Sequence, residues 1–82
     1  MEVYYTRKAK NDLVGLPKNI QKRIVMKIYF YSHQENPLKF AKSLKNSLEG
    51  QFRFRIGDHR VFFDLIENKI FILNIKHRSK CY

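Results

Sequence analysis

One cysteine, three glycines, two prolines and no tryptophan stand in a chain of 82 residues, and only seven side chains are acidic. Each scarcity excludes something. Cys81 alone makes no intramolecular disulfide and no thiolate pair for zinc, so nothing implies an oxidising compartment. Three glycines are too few for a Gly-rich phosphate loop. His33, His59 and His77 lie far apart in sequence, without metal-ligand spacing, and no Ser-His-Asp or Cys-His pattern is present. Asp58, Asp64 and Glu67 fall among turn and strand positions with basic neighbours, which argues against a paired-carboxylate centre. No apolar run reaches the roughly 20 residues of a membrane span. The N-terminus also lacks the apolar stretch of a secretion signal, so the cytoplasm is the expected compartment and no metal or cofactor is expected.

What the chain has in excess is positive charge. Seventeen Lys and Arg give a formal net charge of +10, and seven acids cannot pair them. The positive residues are spread along the chain rather than gathered in a tail. A folded surface of this kind calls for a polyanionic partner: nucleic acid first, an acidic protein second, a membrane surface third. Seven Phe and five Tyr supply the bulk of a core that so short a chain would otherwise struggle to build. Residues 1–82 are expected to form one domain.

Glu2 to Thr6 reads as a short opening strand, with Thr6 placed to cap a helix. Ala9, Leu13 and Leu16 then share one helical face. Pro17 is tolerated only at the start of a helix, so a second helix begins there. Its expected buried stripe is Ile20, Ile24, Ile28 and Tyr31, widened by Val25, Met26 and Phe30, and Asn36-Pro37 ends it. Residues 38–48 are ambiguous between a short helix and an extended connection. Three strands follow, at about 51–57, 59–66 and 69–76, with turns at Gly57-Asp58 and Glu67-Asn68. Of the second turn only Asn68 accepts a positive φ easily. The predicted architecture is α+β: an N-terminal strand and a helical hairpin packed on an antiparallel β-sheet.

The run Phe52-Arg53-Phe54-Arg55-Ile56-Gly57-Asp58-His59-Arg60 organises the rest. Apolar and cationic residues alternate with period 2, and a two-residue loop opening with Gly predicts a type II′ turn. That turn sets Arg55 directly opposite Arg60, with Arg53 on the same face. Like charges so placed repel by something within roughly 0.2–1 kcal/mol, so an anion is expected between them. Extending the pairing puts Phe52, Phe54, Ile56, Val61, Phe63, Leu65, Ile70 and Ile72 on the core face. His77 is expected beside the arginines on the other face, with Phe62, Phe71, Leu73 and Ile75 around them.

The stretch from Leu44 through Phe63, containing Arg53-Phe54-Arg55-Ile56-Gly57-Asp58-His59-Arg60, together with the terminal His77-Arg78-Ser79-Lys80-Cys81-Tyr82, resembles the RelE/ParE superfamily of toxin–antitoxin toxins. The order of elements, with Leu16-Pro17 at the helical turn, is similar too. The RelE branch implies a ribosome-dependent endoribonuclease that cleaves mRNA without a metal and so inhibits translation. It implies catalytic roles for Arg53, Arg55, Arg60, Arg78 and Tyr82, guanidinium groups stabilising charge on a pentacoordinate phosphorus. Arginine stays protonated, which leaves proton transfer to Tyr82, to His77 or to the substrate itself. Lys8, Lys10, Lys18, Lys22, Lys27 and Lys45 are candidates for gripping RNA phosphates. The implied partners are the ribosome, mRNA and an acidic antitoxin that covers the arginine face along with Phe62, Phe71 and Leu73. The other branch implies a ParE-like inhibitor of DNA gyrase, with no RNA chemistry.

Overall fold

The computed structural model describes residues 1–81, so the role expected of Tyr82 lies outside the described residues. The elements run β1 (Glu2–Tyr5), α1 (Arg7–Val14), α2 (Lys18–Ser32), β2 (Ala41–Ser43), β3 (Phe52–Ile56), β4 (His59–Ile66) and β5 (Lys69–His77). Short 3₁₀ turns occupy Pro37–Phe40 and Arg78–Lys80. Thr6 caps α1 as its residue type predicts: its backbone is extended and its hydroxyl accepts from the Ala9 amide at 3.2 Å. Pro17 precedes the first residue of α2, and its carbonyl accepts from Ile20 and Gln21 at 3.0 Å each. The ambiguous stretch after Asn36-Pro37 resolves into the first 3₁₀ turn and the short strand β2.

The sheet has five strands in the order β1-β5-β4-β3-β2. Strands β2 to β5 pair antiparallel, but β1 runs parallel to β5, so the sheet is mixed rather than purely antiparallel. No tight turn joins β1 to β5, and only a tight turn would have imposed the antiparallel direction. Both helices cover one face. Ala9, Ile24 and Ile28 pack there against Phe54, Ile56, Val61, Phe63, Ile70, Ile72 and Ile75, all buried. The Phe54 and Phe63 rings stack at 4.4 Å, with Tyr31 against Phe54 at 4.9 Å. Removing one such ring costs about 3–5 kcal/mol.

The buried stripe of α2 is narrower than its sequence suggests. Val25, Met26 and Phe30 are 40%, 60% and 50% exposed, because a helix lying on a flat sheet buries only the i, i+4, i+8 row that includes Ile20, Ile24 and Ile28. The turns are two-residue loops. Gly57 takes φ +58°, as a type II′ turn requires at its first position. A Cβ there would stand 3.0 Å from the Arg23 guanidinium, which lies over the turn. Glu67 and Asn68 both take positive φ, 50° and 64°, so the second turn is type I′ and Glu67 shares the left-handed conformation expected only of Asn68.

One irregularity changes which residues face where. Phe62 pairs with Asn74 and Phe63 with Ile72, so Leu73 is an extra residue in β5, a β-bulge. Beyond a bulge the side-chain alternation is inverted. Ile75 therefore stands opposite Val61 in the core, only 5% exposed, and His77 stands opposite His59. Both were expected among the arginines; both are on the helix side.

Candidate active site

The arginines do gather. Cross-strand partners share a face, and the pairs Lys42–Arg53–Phe62–Asn74 and Arg55–Arg60–Lys76 form two adjacent rows on the face the helices leave open. Arg55 is exposed, whereas Arg60 is 5% exposed. Arg60 Nη1 donates to the carbonyls of Gly57 and His59, at 3.1 Å each. Its Nε is buried and, among the described residues, has no partner, nor does Arg60 form an ion pair with Asp58 or Asp64. A buried guanidinium held by two neutral carbonyls is an unneutralised charge, and its environment favours an incoming anion.

Arg78 arrives by another route. Its backbone amide donates to the Asp58 carbonyl at 2.7 Å, and its side chain meets Asp58 Oδ1 at 3.7 Å. These contacts hook the end of β5 onto the hairpin tip that carries Arg55 and Arg60. The ion pair is well exposed and holds geometry more than it adds stability.

The loop between β2 and β3 closes the other end of the site. Leu44 N donates to Gln51 O at 2.9 Å, and Ser47 Oγ accepts from Glu49 N at 3.0 Å. Gly50 has φ +153°, and a Cβ there would sit 3.1 Å from the Phe63 carbonyl, so only glycine lets the loop approach β4 this closely. Glu49 is thereby laid over the sheet, where its carboxylate accepts from Asn74 Nδ2 and Lys76 Nζ at 2.6 Å each. Ser47, Glu49, Arg53, Phe62, Lys76 and Lys80 line a cavity of about 320 Å³. Phe62 forms its floor and is 4% exposed, already covered within the chain, while Phe71 is half-buried.

Other expected residues lie elsewhere. His77 faces His59, ring centroids 5.4 Å apart, in a small hollow with Ile20, Arg23 and Asp58. Its Nδ1 is engaged by Ser79, whose amide donates to it at 3.2 Å and whose hydroxyl lies 2.9 Å away. The shared face with Arg60 on which a proton-transfer role for His77 rested is absent. The pKa of His59 is lowered by burial first, then by His77, and by Arg60, with Asp58 opposing. Lys10, Lys18 and Lys22 are exposed on the helix layer, across the sheet from the arginines. Lys27 stands over the rings of Phe30 and Tyr31 at 5.7 and 5.6 Å. Lys8, paired with Asp12 at 2.9 Å, reaches a groove at the sheet's margin that Lys76 and Lys80 also line. Lys45 is exposed on the loop that carries Glu49.

Glu49, Lys76, Lys80 and Arg23 did not stand out in the sequence. Glu49-Gly50 carried one usable signal, a lone acid beside a glycine just before the arginine strand. Lys76 could not be placed until the bulge was known. A second cavity, about 640 Å³ between β1 and α2, is lined largely by apolar groups, among them Met1, Val3, Tyr5, Val25 and Tyr29, with Glu2 and His33 beside them, and gathers no cluster of cations. Burial there raises the Tyr5 phenol to a pKa of about 12 and keeps it protonated. Among the described residues no helix is long and apolar enough to cross a membrane, and no three His, Cys, Asp or Glu side chains come together as metal ligands would.

Residues 3–82 match the family model described as ParE toxin of type II toxin–antitoxin system, parDE. Toxin RelE of Mycobacterium tuberculosis is 34% identical over 82 residues, spanning 98% of this chain and 84% of that protein. Toxin RelG of the same organism is 30% identical, spanning 98% and 93%. The crystal structure of the toxin–antitoxin complex RelBE2 from Mycobacterium tuberculosis contains a chain that superposes with a TM-score of 0.77 at 30% identity, covering 94% of this chain and 96% of that one.

Proposed function

This chain belongs to the ParE toxin family of type II toxin–antitoxin systems, within the RelE/ParE superfamily, and from that premise we propose that it is a ribosome-dependent mRNA endoribonuclease. The observation that carries the reading is Arg60: a cation buried to 5% exposure with an unpartnered Nε, flanked on the same face by Arg53, Arg55 and Lys76. Such a cluster is costly in an empty protein and useful around a phosphate.

In this reading the 2′-hydroxyl of the message attacks its own 3′-phosphate, and the bond to the 5′-oxygen breaks. A 2′,3′-cyclic phosphate and a 5′-hydroxyl result. Arg60, fixed by the Gly57 and His59 carbonyls, meets the charge that builds on the phosphoryl oxygens. Arg55 and Arg53 bind the flanking phosphates, and Arg78 closes the tip. Guanidinium groups deliver this stabilisation without a metal ion. The protein acts in the cytoplasm, where ribosomes present the message, and an acidic antitoxin neutralises it by lying over the arginine face. Support for that partner comes from the charge of the face and from the antitoxin-bound state of the M. tuberculosis relative.

The test is translation of a defined message with purified protein, followed by mapping of the 3′ ends. Discrete breaks on ribosomes, absent without them, are expected, and an intact message removes the reading. Arg60→Met is expected to lose about 100- to 1,000-fold in cleavage, the usual cost of one preorganised donor. It keeps its fold and melts no lower than the wild type, because an uncompensated buried charge is gone. The family description also names ParE, which favours inhibition of DNA gyrase as a second reading. Loss of supercoiling activity, with the message intact, decides for it.

A further inference from the structure

We propose that Glu49 and Lys76 are the proton-transfer pair of the cleavage, Glu49 accepting the proton of the 2′-hydroxyl and Lys76 supplying one to the departing 5′-oxygen. The inference rests on the nuclease reading above and names the groups that reading leaves open. The arginines stay protonated at any working pH and transfer no proton. His77 is turned to the helix side by the Leu73 bulge. Asp58 is at the hairpin tip with Arg78, and Asp12 binds Lys8 and the Ile75 amide. Asp64 is spoken for by the Gln51 amide, beyond Phe62 on the open face. Glu49 is the carboxylate that shares a cavity with Arg53 and Phe62.

The placement is not accidental packing. Both Glu49 oxygens are held, Oε2 by Asn74 and Oε1 by Lys76, at 2.6 Å each. The Lys76 and Glu49 side chains remain 29% and 35% exposed, so a bound strand reaches them. Lys76 is the cross-strand partner of Arg60, which sets a proton donor beside the group that holds the phosphate. The balance closes without another reactant. The O2′–H bond breaks and its proton goes to Glu49. The new O2′–P bond forms as the P–O5′ bond breaks, and a Lys76 proton goes to O5′. The neutral carboxyl and the neutral amine left behind are already hydrogen-bonded, and one proton crossing that contact restores both.

The experiment measures cleavage by the full chain on ribosomes loaded with a synthetic message, across pH, once the break has been mapped. E49Q is expected to fall about 100- to 10,000-fold and to lose the acidic limb of the rate profile, while E49D keeps that limb. K76R retains the charge and the ion pair but cannot release a proton, so it falls comparably on the ordinary message. A message carrying sulfur in place of the bridging 5′-oxygen at the break has a leaving group that needs no proton. On it K76R recovers to within about tenfold of wild type and E49Q does not. Thermal melts establish that the variants are folded; if E49Q is not, E49D and K76R decide. A wild type that cleaves, with a folded E49Q unchanged in rate and acidic limb, or E49D losing that limb, or K76R equally slow on both messages, overturns the pair and leaves the nuclease reading standing. A wild type that cleaves nothing overturns both.

Discussion

Arg55 and Arg60 stand directly opposite each other across the β3–β4 hairpin, and among the described residues neither forms an ion pair. Like charges in this relation cost stability. Folding gains nothing from the arrangement, so the gain is sought in what the two side chains bind together.

Arg55→Glu tests that trade. The new carboxylate faces Arg60 and converts a repulsive cross-strand pair into an attractive one. Stability should rise by about 0.3–0.8 kcal/mol, limited by the exposure of position 55. Cleavage of mRNA should fall at least tenfold over the same substitution. Urea unfolding and the translation assay read the two effects separately. Unchanged cleavage would show that Arg55 does not meet the message.

Much of this fold is legible in sequence because the signals are local. Thr6, Pro17, Gly57 and the alternation through Phe52 to Ile56 each fix their own neighbourhood, and the Arg55–Arg60 pairing follows from the turn alone. The direction of β1 was not legible, since its pairing with β5 joins residues nearly seventy positions apart with no turn to fix the sense. Neither was the Leu73 bulge: the run Ile70 to Ile75 is apolar at almost every position, so no alternation exists for the extra residue to break. That single residue moved His77 off the arginine face and put Lys76 on it. Glu49 reaches the site only through a glycine that allows close approach to β4.

His59 gives the fold a pH response. The pKa of His59 is depressed in the folded chain below its ordinary 6.5, by burial and by the proximity of His77 and Arg60. Between the folded value and about 6.5 the unfolded chain binds the extra proton, so stability rises with pH through that window and is lost as pH falls through it. Melting temperature should therefore drop as pH is lowered from 7 toward 5. In His59→Gln that slope should shrink, and an identical slope in the variant would assign the response to other groups.

The β4–β5 turn holds an avoidable strain. Glu67 sits at φ 50°, where a side chain with no local hydrogen bond to offer is disfavoured, beside Asn68 at φ 64°. Glu67→Asn supplies a residue that tolerates this conformation. It should add about 0.5–1 kcal/mol, seen as a higher urea midpoint with unchanged slope. The turn lies at the end of the sheet remote from Arg55 and Arg60, so cleavage should not change. A lower midpoint would mean that Glu67 makes an interaction its geometry does not suggest.

The positive surface divides into two parts with different expected roles. Lys18, Lys22 and Lys27 lie on α2, across the sheet from Arg53, Arg55 and Arg60. If the message is held on the open face, charges on the far side would raise the local concentration of an RNA-rich partner without touching a reacting atom, and salt would screen them. Replacing these three lysines with glutamine should lower kcat/KM by less than about tenfold at 0.05 M salt, leave kcat alone, and lose its effect by about 0.2 M. Arg53→Gln, which takes a cation from the cavity shared with Glu49 and Lys76, should instead lower kcat at every salt concentration. Were the lysine variant to reduce kcat as severely as Arg53→Gln, the helix layer rather than the open face of the sheet would be the surface that holds the message.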